Sequence, residues 1–362
     1  MPKKPKIAVI GLKGLPAYGG AAAVGENIIN NLKNKAEFTV YSISSHTNLK
    51  SGFYEGFYQK VFKRIKLKKL NSFLYYIRSA IHAVFCSNYD LIHLQHRDAS
   101  YILPILRLRY KVIVTTHGLE LTSKWKKYKW LFEIGDKIFL PFANNITTVS
   151  KKDLRIVNKN LKKTNAYYIP NGINVKREQI NKKNNYLFFA AGRIIPSKGL
   201  HILLSALKIL NYKEDLIIAG DMEQDNAYKQ KIIELSKNIN VKFKGLIKEK
   251  SKLEELMANA KLFVYPSLIE SMSMTMLEVA SLKTPILCSD IPENKDVFST
   301  EEVLYFETNN SSDLAKKIEW AINNESKMLA KSGKLFKKLK DNFQWKVIAL
   351  QYFELYHQLI KK

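Results

Sequence analysis

Residues 265–290 read YPSLIESMSMTMLEVASLKTPILCSD, and the apolar run Leu262-Phe263-Val264-Tyr265 leads into them. That run is strand-like, and Glu270 follows its end. A second carboxylate, Glu278, comes after seven intervening residues, inside a segment whose apolar residues recur at helical spacing. Ser271 or Ser273 caps that helix, and Lys283-Thr284-Pro285 ends it before the next strand, Pro285–Cys288. Glu270 then stands at a strand exit, with Glu278 about two helical turns deeper. Taken alone, such a pair of glutamates is ordinary.

A stretch further upstream changes that. Ala190–Gly199 (AAGRIIPSKG) follows another apolar strand, Tyr186–Phe189, and opens another helix. It sets Arg193 and Lys198 where that strand ends. Two fixed cations and two carboxylates at the carboxyl ends of neighbouring strands describe a site for a nucleoside diphosphate carrying a polyol. Doubly wound sheets bind ligands outside those strand ends.

Strand-like runs alternate with helix-like segments along the chain. The first half offers Ile7–Leu12, Phe38–Ser42, Leu91–Gln95, Val112–Thr116 and Ile146–Val149. The second offers Tyr186–Ala190, Leu216–Ala219, Val241–Lys244, Leu262–Tyr265 and Pro285–Cys288. The pattern predicts an α/β chain of two doubly wound, Rossmann-like domains facing each other across a cleft that holds the ligand. The polar stretch Asn171–Asn185 is the expected join. The domains are then residues 1–171 and residues 172–344.

The pairing of Arg193 and Lys198 with Glu270 and Glu278 resembles the donor site of retaining glycosyltransferases with the GT-B fold, specifically glycosyltransferase family four (glycosyl transferases group 1). The resemblance covers nearly the whole chain, with the motifs in the family's order. It implies a nucleotide-diphosphate sugar as donor (UDP-, dTDP- or GDP-linked), with no further cofactor and no metal. Arg193 and Lys198 then stabilise the departing diphosphate, which gains charge as the glycosidic bond breaks. Glu278 accepts ribose hydroxyls and Glu270 binds the transferred sugar, with Ser271, Met272, Ser273 and Met274 beside them at the donor. Where this chain has Ser273 and Lys283, the family usually has Gly. Val241–Gly245 resembles the base-binding edge. The amphipathic segment Trp345–Leu359 is implied to return onto the first domain, so that residues 1–171 with a C-terminal helix in 345–362 form the acceptor side and residues 172–344 the nucleotide-sugar side.

Gly11–Gly20 (GLKGLPAYGG) leaves the first strand and enters a helix at Ala21. It is not GxGxxG, which disfavours a dinucleotide fold. It resembles the YGG loop of a family-four subgroup that includes many bacterial rhamnosyltransferases. Gly19 and Gly20 would there face the donor diphosphate and Tyr18 the acceptor; Ala21 and Ala22 replace a usual aromatic and Glu. Thr116-His117-Gly118-Leu119-Glu120 resembles the family's HGxE segment. This implies that His117 lies at the donor sugar, and that Glu120 either touches the acceptor or holds the loop. Thr148-Val149-Ser150 and Ile169-Pro170-Asn171-Gly172 match structural punctuation. No carboxylate offers itself as a nucleophile on the sugar's far face, so the resemblance implies a front-face reaction.

Composition bounds the rest. With 362 residues, 46% hydrophobic and 25% charged, the chain can bury two ordinary cores. Cys86 and Cys288 read as reduced core residues of a cytosolic protein, with no zinc or disulfide pattern. No apolar run approaches the roughly 18–20 residues of a spanning helix, and the opening MPKKPKIAVIGLKG suits a first strand better than a signal peptide.

Net charge is +27; residues 1–175 hold 29 Lys/Arg against 9 Asp/Glu, and residues 176–362 hold 30 against 23. That asymmetry implies an anionic partner for the first half. Lys60–Leu70 carries Lys60, Lys63, Arg64, Lys66, Lys68 and Lys69, and no acid occurs from Lys60 to Asn88. As a helix it would form a basic amphipathic surface for anionic headgroups. The expected location is therefore cytoplasmic, peripheral on the inner face of a bacterial membrane.

The expected activity is hexosyl or deoxyhexosyl transfer to a glycan or lipid-linked acceptor, in capsule, O-antigen or exopolysaccharide synthesis. The alternative is a polyanion- or nucleic-acid-binding protein using the basic half. It lacks helix-turn-helix, RNP-like or zinc motifs and leaves the four-residue charged site unexplained, so no nucleic-acid partner is expected. Epimerisation or phosphorolysis on the same fold lacks its own signatures.

Overall fold

The computed structural model describes residues 3–17, 20–65, 70–119, 129–162, 164–175 and 185–361. It divides into two compact units: Met1–Gly172 with Trp345–Lys362, and Ile173–Gln344.

The first unit is a twisted sheet in the order β3-β4-β2-β1-β5-β6-β7-β8. The strands are β1 (Lys6–Lys13), β2 (Glu37–Ile43), β3 (Gly52–Tyr54), β4 (Phe57–Phe62), β5 (Leu91–Leu94), β6 (Val112–Thr116), β7 (Asn145–Thr148) and β8 (Asn165–Tyr168). All pair in parallel except β3, which runs antiparallel to β4. Its helices are α1 (Gly20–Leu32), α2 (Asn71–Cys86), α3 (Leu103–Leu106), α4 (Lys129–Phe139), α5 (Lys151–Asn160) and a C-terminal helix, Trp345–Lys361.

Alternation along the strands separates two environments. Ala8, Ile10, Ile92, Leu94, Val112, Val114 and Ile146 join a core closed by Tyr75, Tyr76 and Ala80 of α2. The intervening side chains are more polar. His93 Nδ1 lies 2.7 Å from the Tyr356 hydroxyl of the C-terminal helix, and His93 Nε2 lies 2.7 Å from Thr115 Oγ1, itself 2.6 Å from Thr147 Oγ1. At Gly172, the last residue of this unit before the second begins, a Cβ would meet the Trp345 ring at 2.6 Å.

In the second unit β9 (Tyr186–Arg193), β10 (Asp215–Asp221), β11 (Val241–Phe243), β12 (Leu262–Tyr265), β13 (Ile286–Ser289) and β14 (Leu304–Phe306) form an all-parallel sheet. Its order is β11-β10-β9-β12-β13-β14. The crossovers are α6 (Leu200–Ile209), α7 (Asn226–Ser236), α8 (Lys250–Asn259), α9 (Met274–Ala280) and α10 (Pro292–Val297), followed by α11 (Ser311–Asn323) and α12 (Glu325–Asn342). The near-continuous apolar strands suit a sheet covered on both faces. Both units are Rossmann-like.

Two expectations are corrected. Lys60 does not open a basic helix: it lies in β4, which pairs with β2 from Thr39↔Tyr58 to Ile43↔Phe62. A hairpin turn at Glu55 and Gly56, with φ of 47° and 95°, returns β3 into β4. Gln59 points inward, its Oε1 accepting from Leu15 N and Ser42 Oγ at 2.9 Å each. Lys63 and Arg64 follow the strand exposed; Lys66, Lys68 and Lys69 lie outside the described residues. Cys86, expected in the core, is exposed at the end of α2, whereas Cys288 is buried.

Candidate functional site

In the C-terminal unit the loops leaving β9 and β12 interlock. Gly199 has φ of 71°, and a Cβ there would stand 1.8 Å from the carbonyl oxygen of Pro266, so only glycine lets the two loops meet. Leu268 N donates to Ser197 O at 2.8 Å. This contact brings Lys198 against Glu270.

Three donors converge on one oxygen of Glu270. Lys198 Nζ reaches Oε1 at 2.5 Å, with the Tyr265 hydroxyl and Ser267 Oγ each at 2.6 Å. The other oxygen, Oε2, has no partner among the described residues, so the carboxylate is held rigidly with one acceptor to spare. Burial pulls the Lys198 ammonium down, but Tyr265 and Glu270 more than reverse this, and Lys198 stays protonated. Burial holds the Tyr265 phenol far above its usual range, so it remains a donor. Ser273 Oγ donates to the Tyr265 hydroxyl at 3.0 Å and accepts from Met276 N as the N-cap of α9. Of the two serines open as caps, the structure uses Ser273.

Arg193 stands exposed at the end of β9, and among the described residues no carboxylate pairs with it. Glu278 lies half-buried in α9, little more than one turn past the cap; its carboxyl is pushed up by burial, against Lys250 and with Glu254. The structure thus joins Lys198 to Glu270 and leaves Arg193 and Glu278 outside that network. Ser271 and Met274 are half-buried and Met272 is buried beside the cap.

In the N-terminal unit Gly11, near the end of β1, has φ of 119°, and a Cβ there would stand 3.2 Å from Gln95 N. Gly20 opens α1 exposed, with nothing within 4 Å of a Cβ, so packing does not require glycine there. Tyr18, Gly19 and Glu120 lie outside the described residues. Lys13, with φ of 65°, places its half-buried Nζ 3.2 Å from Ser72 Oγ, and burial pulls its pKa down against Asp98.

His117 follows β6, its Nε2 3.2 Å from Gln95 Oε1. Burial, with the nearby His96, drops its pKa to about 3, so the imidazole is neutral at physiological pH. His93, fully buried below, is likewise pulled down to about 3. Leu119 N donates to Asp153 Oδ1 at 3.2 Å, tying the His117 loop to α5, where Ser150 is the N-cap.

Gln95, His93 and Asp153 were not singled out from sequence. Gln95 was findable: it and His117 each directly follow adjacent parallel strands, β5 and β6, and so share a layer. His93, paired with a hydroxyl 263 residues away, was not. Among the described residues no three His, Cys, Asp or Glu side chains cluster as a metal ion needs.

Two family models together match residues 18–338: Glycosyltransferase Family 4 over residues 18–177 and Glycosyl transferases group 1 over residues 173–338. The chain belongs to the GT-B glycosyltransferase family. It is 26% identical to the capsular polysaccharide biosynthesis glycosyltransferase CapM of Staphylococcus aureus, over 69% of this chain and 71% of that protein. It is 24% identical to the O-antigen biosynthesis glycosyltransferase WclY of Escherichia coli, over 93% and 94%. A third relative is the UDP-Gal:alpha-D-GlcNAc-diphosphoundecaprenol alpha-1,3-galactosyltransferase of E. coli, 28% identical over 59% and 61%.

Among solved structures, sucrose-phosphate synthase from Thermosynechococcus elongatus superposes with a TM-score of 0.84 at 19% identity, over 99% of this chain and 100% of that one. HepE of Anabaena, in complex with UDP and glucose, gives 0.76 at 18% identity, over 98% and 100%. The glycosyltransferase fold therefore extends over the whole chain.

Proposed function

We propose that this glycosyltransferase transfers a hexosyl or deoxyhexosyl group, with retention and without a metal, from a nucleotide-diphosphate sugar to a glycan or lipid-linked acceptor of a bacterial surface polysaccharide. The observation that carries this reading is the Glu270 cluster. One carboxylate oxygen is saturated by Lys198, Tyr265 and Ser267 while the other is free to accept from a sugar hydroxyl. Lys198 keeps two further ammonium protons, and the exposed Arg193 is unpaired among the described residues. Together they supply the positive charge that a departing diphosphate needs. Glu278 accepts from the ribose, and neutral His117 hydrogen-bonds the transferred sugar. The front-face course leaves the departing phosphate to take the acceptor proton.

Relatives named for capsule and O-antigen synthesis and for a diphosphoundecaprenol-linked acceptor support the acceptor class, and a neighbour bound to UDP and glucose supports a UDP-sugar. No observation favours the polyanion-binding alternative.

The test is calorimetric titration with UDP, GDP, dTDP and their sugars in EDTA, on wild type and Arg193→Ala. Saturable binding to one nucleotide, weakened roughly 10- to 100-fold in the variant, is expected from loss of a charge-assisted contact. No binding to any of them overturns the reading. The anomeric configuration of the product, read by NMR, tests retention separately.

A further inference from the structure

The helical layer carried by β4 to β7 has an outer surface that the proposed chemistry does not use. From β4 onward each crossover moves the same way along the sheet, so α2, α3 and α4 lie on one face. They are tied together: Phe73 of α2 stacks on Tyr101 at 4.9 Å, and Arg97 pairs with Asp136 of α4 at 3.0 Å. The inner side chains close the core. On α2, Phe73, Ile81 and Phe85 stay outside, 48%, 46% and 70% exposed. On α4, Trp130, Ile134 and Ile138 do the same, at 58%, 47% and 53%. These positions recur every four or eight residues, which places each set along one helix face. Leu108, just after α3, is 74% exposed. A solvated helix ordinarily presents polar residues here, and exposed apolar surface on this scale marks an interaction site.

Charge selects the occupant. Arg78 is the only charged residue of α2. Lys63, Arg64, Arg107, Arg109 and Lys137 are exposed on the same elements and their connections, against Asp90, Asp98 and Glu133. A second copy of this chain would bring two strongly basic halves face to face, whereas an anionic bilayer satisfies both the apolar and the basic groups. Among the described residues no helix is long and apolar enough to cross a membrane, so insertion is shallow.

We propose that the α2–α3–α4 surface docks the protein on an anionic lipid bilayer, its apolar side chains entering the headgroup region and its Lys and Arg side chains facing the phosphates. The proposal deepens the reading of a lipid-linked acceptor and rests on it. It also moves the contact away from Lys60, which lies in β4.

The test is co-sedimentation with phosphatidylcholine vesicles with and without phosphatidylglycerol, using the full chain. Wild type is expected to bind the anionic vesicles at least roughly tenfold better than the neutral ones. The exposed-site variants Ile81→Ser/Phe85→Ser and Ile134→Ser/Ile138→Ser should each lose about tenfold. Lys63→Gln/Arg64→Gln should reduce only the preference for the anionic lipid. No vesicle binding by wild type overturns the proposal, as does undiminished binding by both apolar variants. So does a wild-type dimer that these variants dissociate while vesicles bind nothing. Nucleotide titration of the same samples separates the two ideas: variants that lose vesicles but keep nucleotide support the surface, while absence of nucleotide binding throughout counts against the transferase reading and not against vesicle binding.

Discussion

At the strand ends of the C-terminal unit Glu270 is charged and paired; at those of the N-terminal unit His117 is neutral and held by a hydrogen bond. Glu270 is fixed by a lysine and two hydroxyls, two of these donors lying within five residues of it in sequence. His117 rests on Gln95, beside the buried group of His93, Thr115, Thr147 and Tyr356, drawn from three strands and the C-terminal helix. The physical reason is desolvation. A buried carboxylate needs a cation and several donors close by, whereas a neutral imidazole needs only hydrogen-bond partners, which the sheet supplies from anywhere in the chain.

The comparison predicts unequal costs. Glu270→Ala leaves Lys198, Tyr265 and Ser267 without their acceptor, and kcat/KM is expected to fall on the order of 10³-fold or more. His117→Ala removes one neutral contact and should cost about 10- to 100-fold. Steady-state kinetics on both variants, with circular dichroism to confirm folding, reads the difference. Equal losses would show that the two sites do not differ in the way their geometry indicates.

Acid separates the units differently. The unfolded chain's histidines titrate near about 6.5, whereas His93 and His117 titrate at about 3 when folded. The unfolded state therefore binds more protons between those values. The stability of the neutral rings is fully present above about pH 6.5 and is lost as pH falls toward 3, by up to about 1.4 kcal/mol per pH unit for each histidine. Thermal unfolding should show a Tm that drops between pH 7.5 and pH 5. His93→Gln should lower Tm at pH 7.5 and flatten that drop. A pH slope unchanged in His93→Gln would remove His93 from the account.

What sequence disclosed follows the same division. The meeting of Lys198, Glu270 and Ser273 was legible because parallel strands bring their carboxyl ends to one edge, so short motifs after strands adjacent in the sheet are neighbours. The edge pair β3–β4 was not legible: Lys60, Lys63 and Arg64 obscure an alternation whose inward members, Phe57 and Gln59, are only two residues. β8 and β14, at the other sheet edges, are short and half-buried and give little apolar signal. The link from His93 to Tyr356 joins residues near opposite ends of the chain, and no local pattern reports it.

The smallest effects bear on how the Glu270 cluster is held. Tyr265→Phe keeps a ring stacked on Phe263 at 5.7 Å but removes one of three donors to Oε1. A lost charge-assisted hydrogen bond of about 1.5–3 kcal/mol should appear mostly in kcat, since the carboxylate keeps two donors and its place. Ser273→Gly, which restores the residue usual in the family, costs only a few tenths of a kcal/mol as a cap. Any further loss must pass through the Tyr265 hydroxyl that Ser273 donates to. In the Tyr265→Phe background, Ser273→Gly should therefore add little beyond that cap cost. If the two losses simply add, Ser273 acts on the donor directly, and its departure from glycine is a matter of pocket shape; if they do not, Ser273 and Tyr265 form one relay that orients Glu270 from the helix cap.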